Sequence, residues 1–389
     1  MTRWSSTAAK SSRVACALYL RRSVTRFWIA RLYLRMHDYL DAHKQVTLDY
    51  LRDYLGRRKA LLQTAGAWGG DVVERLLDFT AGGKMIRGAL VYLGYALAGG
   101  TLSGAVAPIA AAMELTQSFL LIHDDIMDHD QQRRGMPSIH AQYAELAWKR
   151  GYRGDAQHFG EAMGICSGDI AFFLACDLIG ECDLDAAVYR ALMKRFTDEV
   201  TLVGVAQMHD VTNGVRLDDV PETEIIQLYR YKTGRYTFSL PLILGATAAG
   251  ADSDLNRTLG AVGEEIGIIF QIKDDEIGIF SSDTQIGKPV GSDVSEDKKT
   301  LLRARLFAAA PPTERATLEK LFGAPSVTRH DVDYVGALVD SLGVRAGLQD
   351  ELDSRAVALH GRIAKLFPAG GEPVEVLRQL VEYNLKRDR

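Results

Sequence analysis

The sequence predicts an all-α fold: a single large bundle of about ten or more helices. Leu and Ala recur at three- and four-residue spacing through 71–98, 105–128, 161–179, 186–206, 223–249 and 256–280, the period of helices with buried faces. Strand-like alternation is hard to find, and the 389 residues include only 10 Pro. Gly-rich or polar breaks at 81–83, 98–104, 150–160, 211–222 and 281–297 separate the helical stretches. The central helices are expected to be apolar nearly all round.

Taken in order, the N-terminus stands apart. Residues 1–35 are Ser/Arg-rich, and residues 1–37 hold eight Lys/Arg and no Asp/Glu, a composition shared with organellar transit peptides. Met36 opens mixed-charge helical sequence, which divides the chain into a basic extension, 1–35, and a domain over 36–389. Three explanations of the extension stay open. A start assigned upstream of the natural one is favoured, ahead of a basic arm in peripheral contact with a membrane surface and of a transit peptide.

Hydrophobic residues make up 47% of the chain and charged residues 25%, enough for a sizeable core and too apolar for global disorder. A net charge of −4 argues against nucleic acid as the main partner. Cys16, Cys166, Cys176 and Cys182 form no C-x-x-C pair, so reduced thiols in a cytoplasmic protein are expected. No uninterrupted apolar run reaches the ~18–20 residues of a membrane span.

Two acidic clusters carry the functional information. The first is Phe119-Leu120-Leu121-Ile122-His123-Asp124-Asp125-Ile126-Met127-Asp128, followed by Arg133-Arg134-Gly135. The second is Ile268-Ile269-Phe270-Gln271-Ile272-Lys273-Asp274-Asp275-Glu276-Ile277-Gly278. Carboxylates beside such apolar runs need a cationic partner, because burying an unpaired charge costs several kcal/mol. On a helix Asp124 and Asp128 share a face, with Asp125 beside them. Mg²⁺ suits such a set, since it takes one or two carboxylates and completes its shell with water and substrate phosphates. An isolated acidic triplet is more often a solvated helix face; two of them, each set in apolar helix, are not.

Basic residues follow the same punctuation. Lys84 and Arg87 come just after Gly82-Gly83, where free helix N–H groups favour anions. Arg133 and Arg134 follow the first cluster; Lys232-Thr233 precedes Gly234; Lys288 and Lys298 follow the second cluster. Arg binds phosphate bidentately and Lys as a point charge. Each pair alone reads as a surface salt bridge.

From about Leu61 to the C-terminus the chain resembles the trans-isoprenyl diphosphate synthases, all-helical enzymes that build linear isoprenoid diphosphates. The resemblance is carried by Gly83-Lys84-x-x-Arg87, Asp124-Asp125-Ile126-Met127-Asp128, Arg133-Arg134-Gly135, Ser167-Gly168-Asp169, and Gln207 with Asp210. It continues with Lys232-Thr233, Phe270-Gln271-x-x-Asp274-Asp275, Gly287-Lys288 and Asp297-Lys298-Lys299-Thr300. It implies helices around a central cavity and a homodimer. It also implies Mg²⁺, three ions with substrate bound, on Asp124, Asp128 and Asp274, with Asp125 and Asp275 in support. Arg133, Lys232 and Lys298 would hold an allylic diphosphate, and Lys84, Arg87, Gln117 and Arg134 isopentenyl diphosphate. Lys288 belongs to the same substrate-binding set. Thr233 and Gln271 would line the reacting centre. Gln117 has independent support, since it lies two helical turns before Asp124 on the same face.

Family members often carry a third aspartate where this chain has Gly278; some geranylgeranyl synthases also carry Gly. Phe119 and Leu120, five and four residues before Asp124, resemble the product-length position of geranylgeranyl (C20) enzymes, with farnesyl or longer products as alternatives. Met113, Glu114 and Ser118 are further candidates for shaping the product tunnel. Two other functions compete. A terpene cyclase would lack the second diphosphate site that Lys84, Arg87 and Arg134 provide. A non-catalytic subunit of a heteromeric synthase would have lost first-motif aspartates, which are intact. The C-terminal Lys386-Arg387-Asp388-Arg389 is expected to be a solvated tail.

Overall fold

The computed structural model describes residues 8–101, 104–280 and 291–387, with side chains from Met36 onward except that of Ser292. The chain is all-α as expected. Its helices are α1 (Ala8–Gln63), α2 (Trp68–Ala81), α3 (Ile86–Leu97), α4 (Ala107–Met127), α5 (Ile139–Lys149), α6 (Ala156–Gly180), α7 (Ala186–Val215) and α8 (Glu222–Leu228). They continue as α9 (Leu240–Ala248), α10 (Ser253–Phe280), α11 (Ser292–Ser295), α12 (Leu301–Ala309), α13 (Pro312–Leu321), α14 (Arg329–Ser341), α15 (Val344–Leu366) and α16 (Glu372–Lys386). The described strands are two short ones, β1 (Gln132–Arg133) and β2 (Met136–Pro137), paired antiparallel directly after α4.

Two differences from the sequence reading have local causes. The α1 backbone runs unbroken through the change of composition at Met36, because a shift in charge is not a helix breaker. Residues 211–215, the start of the 211–222 stretch that reads as a break, instead extend α7 to Val215, since polar residues are tolerated on an exposed helix face.

Two apolar cores share the bundle. One gathers α4 with α1, α2, α6 and α7, around Leu51, Leu76, Ile109, Met113 and Phe196. The other gathers α10 with α12, α15 and α16, around Ile266, Ile269, Leu306, Leu352 and Leu377. The 104–127 stretch and α6 are long and apolar enough to cross a membrane by length and composition. The first is 72% buried inside the protein, where its apolar surface serves the core.

Between the cores lies an 11-residue π-helix, Tyr229–Ser239, that packs on α10, α7, α9 and α3. Its wide turns are tightly apposed to α10: a Cβ added at Gly267 would fall 2.1 Å from Gly234 Cα. Only paired glycines let the two backbones approach so closely. Wide π turns recur at functional sites, and this one carries Lys232 and Thr233.

Candidate active site

Both acidic clusters lie toward the C-terminal ends of their helices, on α4 and α10. At α4, successive residues point about 100° apart, and the adjacent aspartates separate accordingly. The Asp125 side chain is fully buried and accepts from Arg133 Nε at 2.7 Å and from Arg133 Nη2. Burial pushes its carboxyl up to about 6 even with that guanidinium against it. Its Oδ2 has no hydrogen-bond partner among the described residues. Asp124 is half-buried and accepts from Gln207 Nε2 at 2.9 Å, with Lys232 Nζ at 3.6 Å. Asp128 is exposed at the end of α4, and its N–H donates to Asp124 O at 2.8 Å.

The α10 pair separates in the same way. Asp275 is buried, accepting from Tyr229 Oη and from Gln271 Nε2 at 3.0 Å, and burial pushes it up to about 7. Tyr229 Oη also accepts from Leu301 N at 2.8 Å, which ties α10, the π-helix and α12 together. Thr233 Oγ1 donates to Gln271 Oε1 at 2.9 Å, so the two residues expected at the reacting centre are in contact. Asp274, its side chain 51% exposed, accepts from Arg387 Nη2 at 2.6 Å. Glu276, the third acid of that run, is spent on Lys273 (2.7 Å) and Arg345 (2.8 Å).

Lysines join the two ends. Lys232 pairs with Asp210 as well as Asp124. Burial opposes its charge, yet those carboxylates hold its pKa above the ordinary lysine value. Lys298 lies 3.5 Å from Asp293. Asp293, and then Asp210 and Asp275, hold the Lys298 ammonium well above its usual value against burial. Asp210 therefore faces both lysines, and one cleft contains both motifs.

A second cationic group sits at the start of α3. Arg87 Nη2 donates to Thr237 Oγ1 at 2.6 Å, and its guanidinium carbon lies 4.8 Å from the Tyr236 ring centre. Arg134 donates to Phe79 O at 3.2 Å and lies against Gly83; Lys84 is exposed. Among the described residues, the non-glycine positions with positive φ are Met85 (53°), His129 (57°), Arg134 (56°) and Asp297 (48°). Met85 and Asp297 adjoin Lys84 and Lys298, Arg134 is itself one of the site cations, and His129 directly follows Asp128. Such backbone costs on the order of 1 kcal/mol each and persists where surroundings over-determine it.

Several expectations need revision. Arg133 is committed to Asp125 and to Asp130 (3.2 Å), so the protein's own cation neutralises the most buried carboxylate and no metal is required there. Glu114 belongs under Arg87 rather than to an apolar tunnel wall, Ser118 is bonded to Thr80 at 2.7 Å, and Met113 is core. The C-terminus is no solvated tail at Arg387, which is 8% exposed and stacks 3.7 Å over the Phe270 ring centre. Lys288 lies outside the described residues. Gln117 is half-buried three residues after Glu114. Phe119 packs on Phe172 (5.1 Å) and His123 (4.9 Å), and Leu120 packs on the α4 core. Sequence reasoning missed Arg387, Tyr229 and Asp293. Of these only Asp293 left a signal, in the loop leading to Lys298. A Cβ at Gly278 would meet Asp293 Oδ2 at 2.6 Å, so a carboxylate from α11 fills the space a third aspartate would take.

The donor set fits Mg²⁺ in one specific sense. Asp124, Asp128 and Asp274 offer only oxygen, and among the described residues no three His, Cys, Asp or Glu converge tightly enough to hold a metal alone. A hard cation that completes its shell with phosphate oxygens suits such an open set.

Comparison with known proteins supplies the remaining findings. A family model described as polyprenyl synthetase matches residues 71–339. The chain is 32% identical over 263 residues to the geranylgeranyl diphosphate synthase of Saccharolobus solfataricus, covering 67% of this chain and 74% of that one. It is 31% identical over 316 residues to the geranylfarnesyl diphosphate synthase of Aeropyrum pernix, covering 79% and 91%. Its fold superposes with a TM-score of 0.84 on the geranylgeranyl pyrophosphate synthase of Corynebacterium glutamicum, solved with isoprenyl diphosphate and magnesium, at 27% identity over 90% of this chain and 99% of that one.

Proposed function

The chain belongs to the polyprenyl synthetase family and is a prenyltransferase; we propose that it condenses isopentenyl diphosphate with an allylic diphosphate to give geranylgeranyl diphosphate, C20. The observation that carries this reading is the pair of cationic groups around the aspartates. Lys232 and Lys298 share Asp210 between the two motifs, while Arg87 and Arg134 gather around Glu114 at the start of α3, directly after Lys84 in the sequence. Two cationic groups suit two diphosphates.

Asp124, Asp128 and Asp274 would hold Mg²⁺, three ions with both substrates present, and Asp293 would compensate for Gly278. When bound, Mg²⁺ neutralises charge on the departing pyrophosphate. Lys232 and Lys298 orient the allylic diphosphate so that its C1–O bond breaks with the electron pair leaving on pyrophosphate, while Arg133 stays on Asp125. The Thr233–Gln271 pair borders the resulting allylic cation. Lys84, Arg87, Gln117 and Arg134 hold isopentenyl diphosphate so that its double bond attacks C1. A proton is then lost to pyrophosphate as the new double bond forms.

The C20 product rests on Phe119, which with Phe172 and Phe196 forms an aromatic layer beside α4. We also propose a cytoplasmic homodimer. The apolar helix α6 leaves Ile165 and Phe173 exposed at 47% and 71%, a face that a second copy would cover.

The test is a product assay with Mg²⁺, labelled isopentenyl diphosphate and each allylic primer in turn. A linear C20 alcohol after dephosphorylation is the expected result. A C15 or longer alcohol would overturn the role of Phe119. No product from folded protein would overturn the reading itself.

A further inference from the structure

We propose that Glu114 is a positioning residue for isopentenyl diphosphate, a buried carboxylate that presets Arg87 and the start of α3; this rests on the reading that Lys84, Arg87 and Arg134 hold that substrate. Glu114 projects from α4 and is 4% exposed. A carboxylate so enclosed needs compensation from charges and N–H donors, and it has both. Gly88 N donates to its Oε1 at 2.7 Å, and Arg87 and Arg134 supply the positive charges around it.

The need for this carboxylate begins in α3. The residue before that helix, Met85, is held in left-handed conformation and offers no capping side chain. The first N–H groups of α3 therefore lack a local acceptor, and Glu114 supplies one from a different helix. Arg87 lies in the field of the same carboxylate, while Thr237 and Tyr236 hold its guanidinium from the π-helix side. Arg87 is thus placed by two elements before any substrate arrives. A guanidinium already ordered loses less conformational freedom when a diphosphate binds. Glu114 also offsets repulsion between Arg87 and Arg134, which approach the same corner.

Replacing Glu114 with Gln keeps the shape and a carbonyl for Gly88 N–H while removing the charge that orders Arg87. Equilibrium binding of isopentenyl diphosphate, without an allylic partner and hence without turnover, reads the effect. Glu114→Gln should raise its Kd roughly tenfold, while the allylic KM and the kcat at saturation change by less than about twofold. In an Arg87→Lys background the same substitution should add little, because both changes act through one guanidinium. An unchanged or tighter Kd overturns the proposal, and so does an equal loss in kcat and allylic KM. Should the amide variant fail to fold, Glu114→Asp is read instead, and the same two outcomes decide. Failure of the wild-type protein to bind isopentenyl diphosphate would sink the proposed function instead, so the two failures are distinguishable.

Discussion

The end of α4 and the C-terminal part of α10 carry the same Asp-Asp pair but complete it from different parts of the chain. In each, one aspartate is buried on an internal partner and its neighbour faces the cleft. Asp125 is closed by Arg133, eight residues away, because α4 ends and the β1–β2 turn brings the chain back. Asp275 sits in unbroken helix and takes Tyr229 from 46 residues away, and Asp274 takes Arg387 from 113 residues away. The buried aspartate is closed locally in the first site and from a distant segment in the second, whereas both outer aspartates take distant partners, Asp124 from Gln207 and Asp274 from Arg387. Adjacent identical residues are therefore not equivalent: the inner one holds structure together and the outer one is available for chemistry.

The strongest way to break this comparison is to exchange outer and inner aspartates for Asn. Asp124→Asn and Asp274→Asn should each lower kcat by about a thousandfold, the scale of a lost electrostatic group in a transition state. Asp125→Asn and Asp275→Asn should lose less, and equal losses at all four positions would erase the distinction. A smaller effect is expected at Arg387. Its ion pair competes for Asp274, so Arg387→Ala should lower the Mg²⁺ concentration for half-maximal rate by about two- to fivefold, the scale of a ~1 kcal/mol contact. An unchanged Mg²⁺ dependence would show that the contact is not a competitor.

The smallest effect concerns how α16 is anchored. Hydrogen bonds from His360 and Lys386 hold the Glu382 carboxyl at about 2, below its usual value. A carboxylate depressed in the folded state contributes stability above its unfolded pKa and loses it as pH falls toward the folded one. The melting temperature of wild type should exceed that of Glu382→Gln slightly near neutral pH, and the gap should close between about pH 4.5 and pH 2. A gap that persists below that window would assign the difference to packing.

The contrast also explains what was legible in the sequence. Helices announce themselves by period, so α4 and α10 and their aspartates could be read directly. Arg133 and Arg134 follow the first motif closely enough to be attributed to it, although not to predict that Arg133 would turn inward onto Asp125. Tyr229 and Arg387 could not be assigned to the second motif, because nothing in a one-dimensional pattern records which distant segment returns to a helix face. The π-helix was equally hidden, since its residues are compatible with an ordinary helix and the close approach of Gly234 to Gly267 exists only once the two helices are packed. Glu114 read only as one more candidate for shaping the product tunnel, and its charge has meaning only beside Arg87 and the uncapped start of α3.

Calorimetric melting of wild type and the four Asp→Asn variants, with and without Mg²⁺ plus inorganic pyrophosphate, tests the division of labour most directly. A ligand that binds only the folded protein raises its melting temperature. The rise should appear in wild type, Asp125→Asn and Asp275→Asn and be absent in Asp124→Asn and Asp274→Asn. A rise lost in the inner variants and kept in the outer ones would contradict the assignment.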